Sequence, residues 1–182
     1  MISRIYLTGY MTSGKSTIGP ILANVIGWNF YDLDQVIEIE QGKSVVEIFE
    51  EHGEEFFRDY ETKTLTRLSK LDNVIISLGG GTISNNNNFS IIKNSGKLIY
   101  LKVSPDIIYK RIRNKINRPL FRDLVLSENS EEDFLEKINQ HLEDRVKYYE
   151  KADITIDTDQ SRIGVTVDKL AKQIKRMLNE NN

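Results

Sequence analysis

Apolar residues along the chain follow two rhythms. Short unbroken runs, Ile5-Tyr6-Leu7 and Val74-Ile75-Ile76 among them, read as strands buried on both faces. Between the runs, apolar residues recur three and four apart, the spacing of one helix face. The first helix is expected over Lys15–Ile26, with Ile18, Leu22 and Val25 inward and Gly27 as its stop. Residues 28–31 read as a second strand. Residues 35–70 read as helical with breaks: one segment ends at Gly42, a second is capped by Ser44 and shows Val45, Ile48 and Phe49 on one face, and a third follows Gly53. Residues 73–78 and 97–103 are the third and fourth strands, with a polar patch at 85–88 that reads as loop or helix start. Ser104-Pro105-Asp106 opens a helix, with proline at its first position. Residues 131–151 form an amphipathic helix with Phe134, Leu135, Ile138 and Leu142 inward, residues 152–156 a fifth strand, and residues 163–178 a closing helix. The class is therefore α/β: a five-stranded parallel sheet with helices on both faces.

The chain of 182 residues is expected to form one domain, large enough to bury a core unaided. Its core is expected in residues 1–31, 71–114 and 152–182. The long helical insertion at 32–70 looks like a substrate-binding subdomain, and the cation-rich segment 115–130 looks like a lid. A net charge of −2 gives no reason to expect nucleic acid as a partner. The absence of cysteine excludes disulfides and thiolate metal sites, and the two histidines are too far apart in sequence to suggest a zinc centre. No signal peptide and no membrane-length apolar run is read, so the expected setting is the cytoplasm, without membrane contact.

The stretch Gly9-Tyr10-Met11-Thr12-Ser13-Gly14-Lys15-Ser16 fits G-x-x-x-x-G-K-[ST], between a strand and a helix. Backbone N–H groups of such a loop, from Gly9 through Met11, Thr12, Ser13 and Gly14 to Thr17, meet the positive end of the helix dipole and hold phosphates. Lys15 supplies a cation for the terminal phosphates, and Ser16 a hydroxyl for Mg²⁺. Many such enzymes place an aspartate after the third strand to hold the metal. Gly79-Gly80-Gly81 stands there instead, so Asp32 is the available donor. Asp32 and Asp34 flank Leu33, and strand-like alternation would put both carboxylates on one side, opening onto the loop. Asp34 could equally cap a helix starting at Gln35. The glycines suggest backbone passing close to a ligand, or only a tight turn. Arg58 reads as a ligand or as a solvated arginine, and Arg145 is explained as well by the dipole of its own helix C-terminus. Together these features point to a small Mg²⁺-dependent enzyme using a nucleoside triphosphate.

With these motifs in view, the chain resembles the shikimate kinases over nearly its whole length. The resemblance rests on residues 9–17, Asp32-Leu33-Asp34, Phe57-Arg58, Gly79-Gly80-Gly81, Arg118-Pro119-Leu120, and Arg145 with Tyr148 and Tyr149. It implies a P-loop kinase fold and ATP-dependent phosphorylation of a ring hydroxyl of shikimate, giving shikimate 3-phosphate for aromatic amino acid biosynthesis. It implies that Arg58 and Arg145 hold the substrate carboxylate, beside Phe57 and the backbone of Gly79, Gly80 and Gly81. Asp34 is implied as the base, and Lys15 and the lid residue Arg118 as the cations on the transferred group. Ser16 and Asp32 would hold Mg²⁺, while Arg111 and the loop from Asp157 to Gln160 would take adenine. A monomer is expected. The chain departs from the family at Thr12, where glycine is common; threonine can be accommodated if its dihedrals are ordinary, with a different nucleotide affinity as the consequence to look for. The Asp157 loop also lacks a proline that some members carry near adenine. The rival readings are another small-molecule kinase, such as a gluconate or nucleoside monophosphate kinase, and a nucleotide-binding module without catalysis.

Overall fold

A computed structural model of the chain describes residues 2–114, 121, 124, 125, 130–159 and 161–180. Strands β1 (Arg4–Thr8), β2 (Asn29–Asp32), β3 (Val74–Ser77), β4 (Lys97–Lys102) and β5 (Ile154–Asp157) form one parallel sheet in the order β2-β3-β1-β4-β5. The helices are α1 (Lys15–Ile26), α2 (Leu33–Gln41), α3 (Val45–Leu68), α4 (Asn86–Ser95), α5 (Pro105–Ile112), α6 (Glu131–Tyr149) and α7 (Ile163–Glu180). The expected class and strand count are those observed.

Alternation along β1 divides the core. Ile5 and Leu7 face α1 and α7, with Leu22, Ala23, Leu170 and Ile174. Tyr6 faces the opposite side, with Ile37, Ile48, Leu65 and Ile92. Val25 was expected inward, but it is exposed; Ala23, two positions earlier, takes that contact. A third cluster joins Tyr10 to α5 and α6 through Ile108, Ile112, Phe134 and Ile138, with Phe121 packed among them.

Register decides where ligands can go. Leu7 of β1 pairs with Ser77 of β3, and Ser77 pairs with Asp32 of β2. The three strands therefore finish level, and the loops that leave them open onto one crevice at the carboxyl edge of the sheet.

The segment between β2 and β3 has the breaks read in the sequence. Gly42 ends α2, and α3 is interrupted at Gly53 (φ 82), so Arg58 lies near the start of a fresh helical run. Ser44 caps α3 in a reciprocal pair. Its hydroxyl accepts from the Glu47 N–H at 3.3 Å, and the Glu47 carboxylate accepts from the Ser44 N–H at 2.8 Å. The polar patch at 85–88 is a helix start, with Asn85 Oδ1 accepting from the N–H groups of Asn87 and Asn88. Among the described residues, no helix is long and apolar enough to cross a membrane.

Removing the Ser44 cap should cost about 1 kcal/mol. For a chain of this size, Ser44→Ala should therefore lower Tm by about 2–4 °C in thermal unfolding. An unchanged Tm would show that the cap carries no stability.

Candidate active site

The loop between β1 and α1 presents an anion cradle. Its N-cap, Gly14 (φ 99), brings no side-chain cap, and the first turn of α1 holds no acid, so no side chain of that turn competes with an anion at the helix N-terminus. At Gly9 a Cβ would lie 2.5 Å from the Leu101 carbonyl oxygen, which leaves no room for any side chain. The Lys15 ammonium donates to the carbonyls of Gly9 (2.7 Å) and Tyr10 (3.3 Å), which draws it along the loop it serves.

Thr12 does not have the ordinary dihedrals under which threonine is readily accommodated. It sits at φ 64, in the left-handed region, where a β-branched residue is a strained outlier. Its Oγ1 is also buried with no hydrogen-bond partner among the described residues. What holds the conformation is Arg111, which donates to the Thr12 carbonyl at 2.7 Å and to the Thr158 carbonyl at 3.1 Å. Arg111 thus ties the loop to the segment leaving β5.

The cradle is one wall of a cavity of about 480 Å³. Met11, Thr12, Gly14, Lys15, Ser16, Thr17 and Arg111 line it on that side; Asp32, Asp34, Gly79, Gly80, Gly81 and Arg145 line it on the other. The three glycines each face a different side chain. A Cβ at Gly79 would lie 2.5 Å from Asp34 Oδ1, at Gly80 3.5 Å from Arg145 Nη1, and at Gly81 2.7 Å from Arg58 Nη2. The triplet thus lies close to side chains of the protein itself. Arg58 donates through Nε and Nη2 to Glu54 (3.2 Å each) and through Nη1 to Glu61 (3.1 Å). Phe57 is a core residue, 3% exposed, whose ring lies 5.3 Å below the Arg58 guanidinium. It supports that cation rather than the cavity wall.

Asp32, not Asp34, caps α2: its Oδ1 accepts from the Gln35 N–H at 3.4 Å. Leu33 opens the helix, so the strand-like alternation did not apply; the helical turn brings both carboxylates to the cavity instead. Asp32 Oδ2 also accepts from the Ser16 hydroxyl at 3.5 Å. Asp157 does not line the cavity; its Oδ1 accepts from the Asp159 N–H at 2.8 Å within its own turn. Its neighbour Thr158 lines a smaller recess of about 180 Å³, with Thr12, Thr17, Arg111 and Ser161. Arg118, Gln160 and most of the 115–130 segment lie outside the described residues.

This arrangement can be set beside known proteins. The family model described as shikimate kinase matches residues 11–178. A shikimate kinase of Chlorobaculum parvum is 44% identical over 96% of this chain and 93% of its own. The chain belongs to the shikimate kinase family. Among solved shikimate kinases, that of Bacteroides thetaiotaomicron is 32% identical with a TM-score of 0.83, covering 96% of this chain and 99% of its own. That of Acinetobacter baumannii, solved in complex with shikimate, is 31% identical with a TM-score of 0.80, covering 100% and 96%.

Within this shikimate kinase fold, electrostatics single out Asp34. Burial pushes its carboxyl up to about 7, helped by the charges of Asp32 and Glu61 and opposed by Lys15. A carboxylate tuned to that range is suited to proton transfer at neutral pH. Sequence reasoning missed Glu61, which is fully buried and accepts from Arg58 and, at 2.6 Å, from the Thr82 hydroxyl. The available signal was its spacing: an acid three residues after Arg58 on a helix shares its face.

Two outcomes follow for stability. Native Asp34 binds its proton more tightly than the unfolded chain does, so it lowers stability as pH rises from about 4 to about 7. Asp34→Asn should raise Tm at pH 8, raise it less at pH 5, and abolish turnover; an equal change at both pH values would remove the burial argument. Thr12→Gly should stabilise by about 1 kcal/mol, since relief of about 1–2 kcal/mol of left-handed strain exceeds the extra chain entropy of glycine. Thermal unfolding should show a Tm about 2–4 °C higher, and a fall would mean that threonine is unstrained there.

Proposed function

We propose that this protein transfers the γ-phosphoryl group of ATP to a ring hydroxyl of shikimate, giving shikimate 3-phosphate and ADP. One observation carries the reading. A carboxylate and two guanidinium groups converge on three consecutive glycines, opposite a phosphate cradle. A polyol acid offers what such a wall recognises: hydroxyls for Asp34 and one carboxylate for Arg58 and Arg145. Charge-assisted bonds of this kind contribute about 1.5–3 kcal/mol each, and paired guanidinium forks fix orientation.

Asp34 takes the proton of the attacking hydroxyl. The alkoxide oxygen bonds to the γ-phosphorus, and the bond to the β–γ bridging oxygen breaks, leaving ADP. Lys15 and Arg118 neutralise charge on the transferring group, a contribution that reaches about 10³–10⁵ in rate for an arginine. The Ser16 hydroxyl and the Asp32 carboxylate are hard oxygen donors that fit Mg²⁺, which keeps waters and phosphate oxygens as its other ligands. When bound, the ion neutralises phosphate charge. Arg111 and the recess at Thr158 take the adenine end, residues 32–70 hold the acid, and residues 115–130 close over the site and exclude water. The protein works as a cytoplasmic monomer on small molecules only, since a single chain supplies both walls and a net charge of −2 offers nucleic acid no hold.

Coupled ADP release over shikimate, gluconate and nucleoside monophosphates tests the acceptor. Turnover is expected with shikimate; preferred turnover of another acceptor, or nucleotide binding without turnover, would replace this reading. Arg58→Ala should raise the shikimate KM about tenfold or more while the ATP KM changes little. An unchanged shikimate KM would sink the proposed clamp.

A further inference from the structure

Tyr10, a variable position of the phosphate-loop motif, is used on two sides at once. Its carbonyl belongs to the nucleotide side, accepting from the Ser13 N–H at 3.1 Å and from Lys15 Nζ at 3.3 Å. Its side chain turns the other way and is fully buried. The Arg145 guanidinium lies over its ring, 5.6 Å from the centroid, while the phenol oxygen meets His141 Nδ1 at 3.1 Å.

His141 precedes Arg145 by one helical turn on α6, so the two share a face. The imidazole is itself fixed: the ring of Phe121 meets it edge-on at 6.1 Å, and Phe121 stacks on Phe134 of the same helix at 6.1 Å. Arg145 lines the cavity and comes up against Gly80. A cation held over a buried aromatic face keeps a preferred position, which a flexible arginine in water lacks. The Tyr10 ring is itself held on two sides, by its buried packing and by the bond of its hydroxyl to His141.

We propose that Tyr10 and His141 are positioning residues for Arg145: the Tyr10 ring is the platform that aims the guanidinium at the substrate carboxylate, and His141 braces the ring through its hydroxyl. This rests on the reading of Arg145 as part of the carboxylate clamp. The protonation states suit the role. Burial pushes the Tyr10 hydroxyl up to about 12, against the opposing charge of Arg145, so the phenol keeps its proton. Burial, followed by the Arg145 and Lys137 charges, holds His141 below its usual value despite Asp144. A neutral imidazole braces the ring without placing a like charge beside Arg145.

Steady-state kinetics on Tyr10→Phe, Tyr10→Leu, His141→Ala and His141→Gln, each checked for folding by circular dichroism, tests this. Tyr10→Leu, which removes the platform, should raise the shikimate KM about tenfold; Tyr10→Phe and His141→Ala, which remove only the brace, should raise it about threefold. The ATP KM and kcat should stay within about twofold, and His141→Gln, which can still bond the phenol, should recover most of the loss. On an Arg145→Ala background, Tyr10→Phe should add nothing further, because the pair acts through that arginine. If Arg145→Ala leaves the shikimate KM unchanged, the clamp reading fails. If Arg145→Ala raises it while Tyr10→Phe and His141→Ala do not, the clamp stands and the positioning role is overturned. Equal losses in kcat and both KM values would also overturn it, marking a merely structural pair. Should Tyr10→Leu fail to fold, the Phe and His141 variants decide.

Discussion

Three side-chain-free residues in a row allow three charged groups to crowd one wall of the site. Gly79, Gly80 and Gly81 leave β3 at the level where β1 and β2 also end; the first and third give their missing Cβ space to Asp34 and Arg58, and the second lies in contact with Arg145. A β-carbon at the first would fall within 2.5 Å of a mostly buried carboxylate that has little room to withdraw. The strip therefore sets how near Asp34, Arg145 and Arg58 can stand to one another. The cradle on the opposite wall sets only where the phosphates lie.

Crowding like charges together is costly unless each is answered. Asp34, Asp32 and Glu61 share a small volume, and the upward push on the Asp34 carboxyl, from burial first and then from its acidic neighbours, is one sign of the strain. Arg58 answers Glu61, and Thr82 fills another of its acceptor sites. Lys15 opposes the rise at Asp34 from across the cavity. The raised pKa of one carboxyl is thus a by-product of the same packing that holds the neighbouring guanidinium groups in place.

Much of this was legible in the sequence because it is local. The phosphate loop, the Ser44 cap and the Gly53 break depend on residues within a few positions of each other. Elements bounded by clear punctuation, such as α1 and the helix opened by Pro105, fell where they were expected. What was not legible depends on long-range contact or on a dihedral. Glu61 looked like any surface acid until Thr82, which is 21 residues away, turned toward it. Tyr10 and His141 are 131 residues apart, and no spacing rule joins them. The left-handed dihedral of Thr12 could not be read from its sequence, because threonine disfavours that region; it occurs together with a tertiary contact from Arg111 to the Thr12 carbonyl.

The Arg58–Glu54 pair has a further meaning. Arg58 grips a carboxylate with two of its nitrogens, and that carboxylate stands on an exposed side chain one turn away. On the proposed reading of Arg58 as a clamp, an incoming acid competes for an occupied fork, and binding exchanges one anion for another. Exchange leaves the net charge around the guanidinium nearly constant. The clamp so read would hold its acid more lightly than the count of contacts implies, with a tethered replacement beside it when the phosphorylated acid leaves.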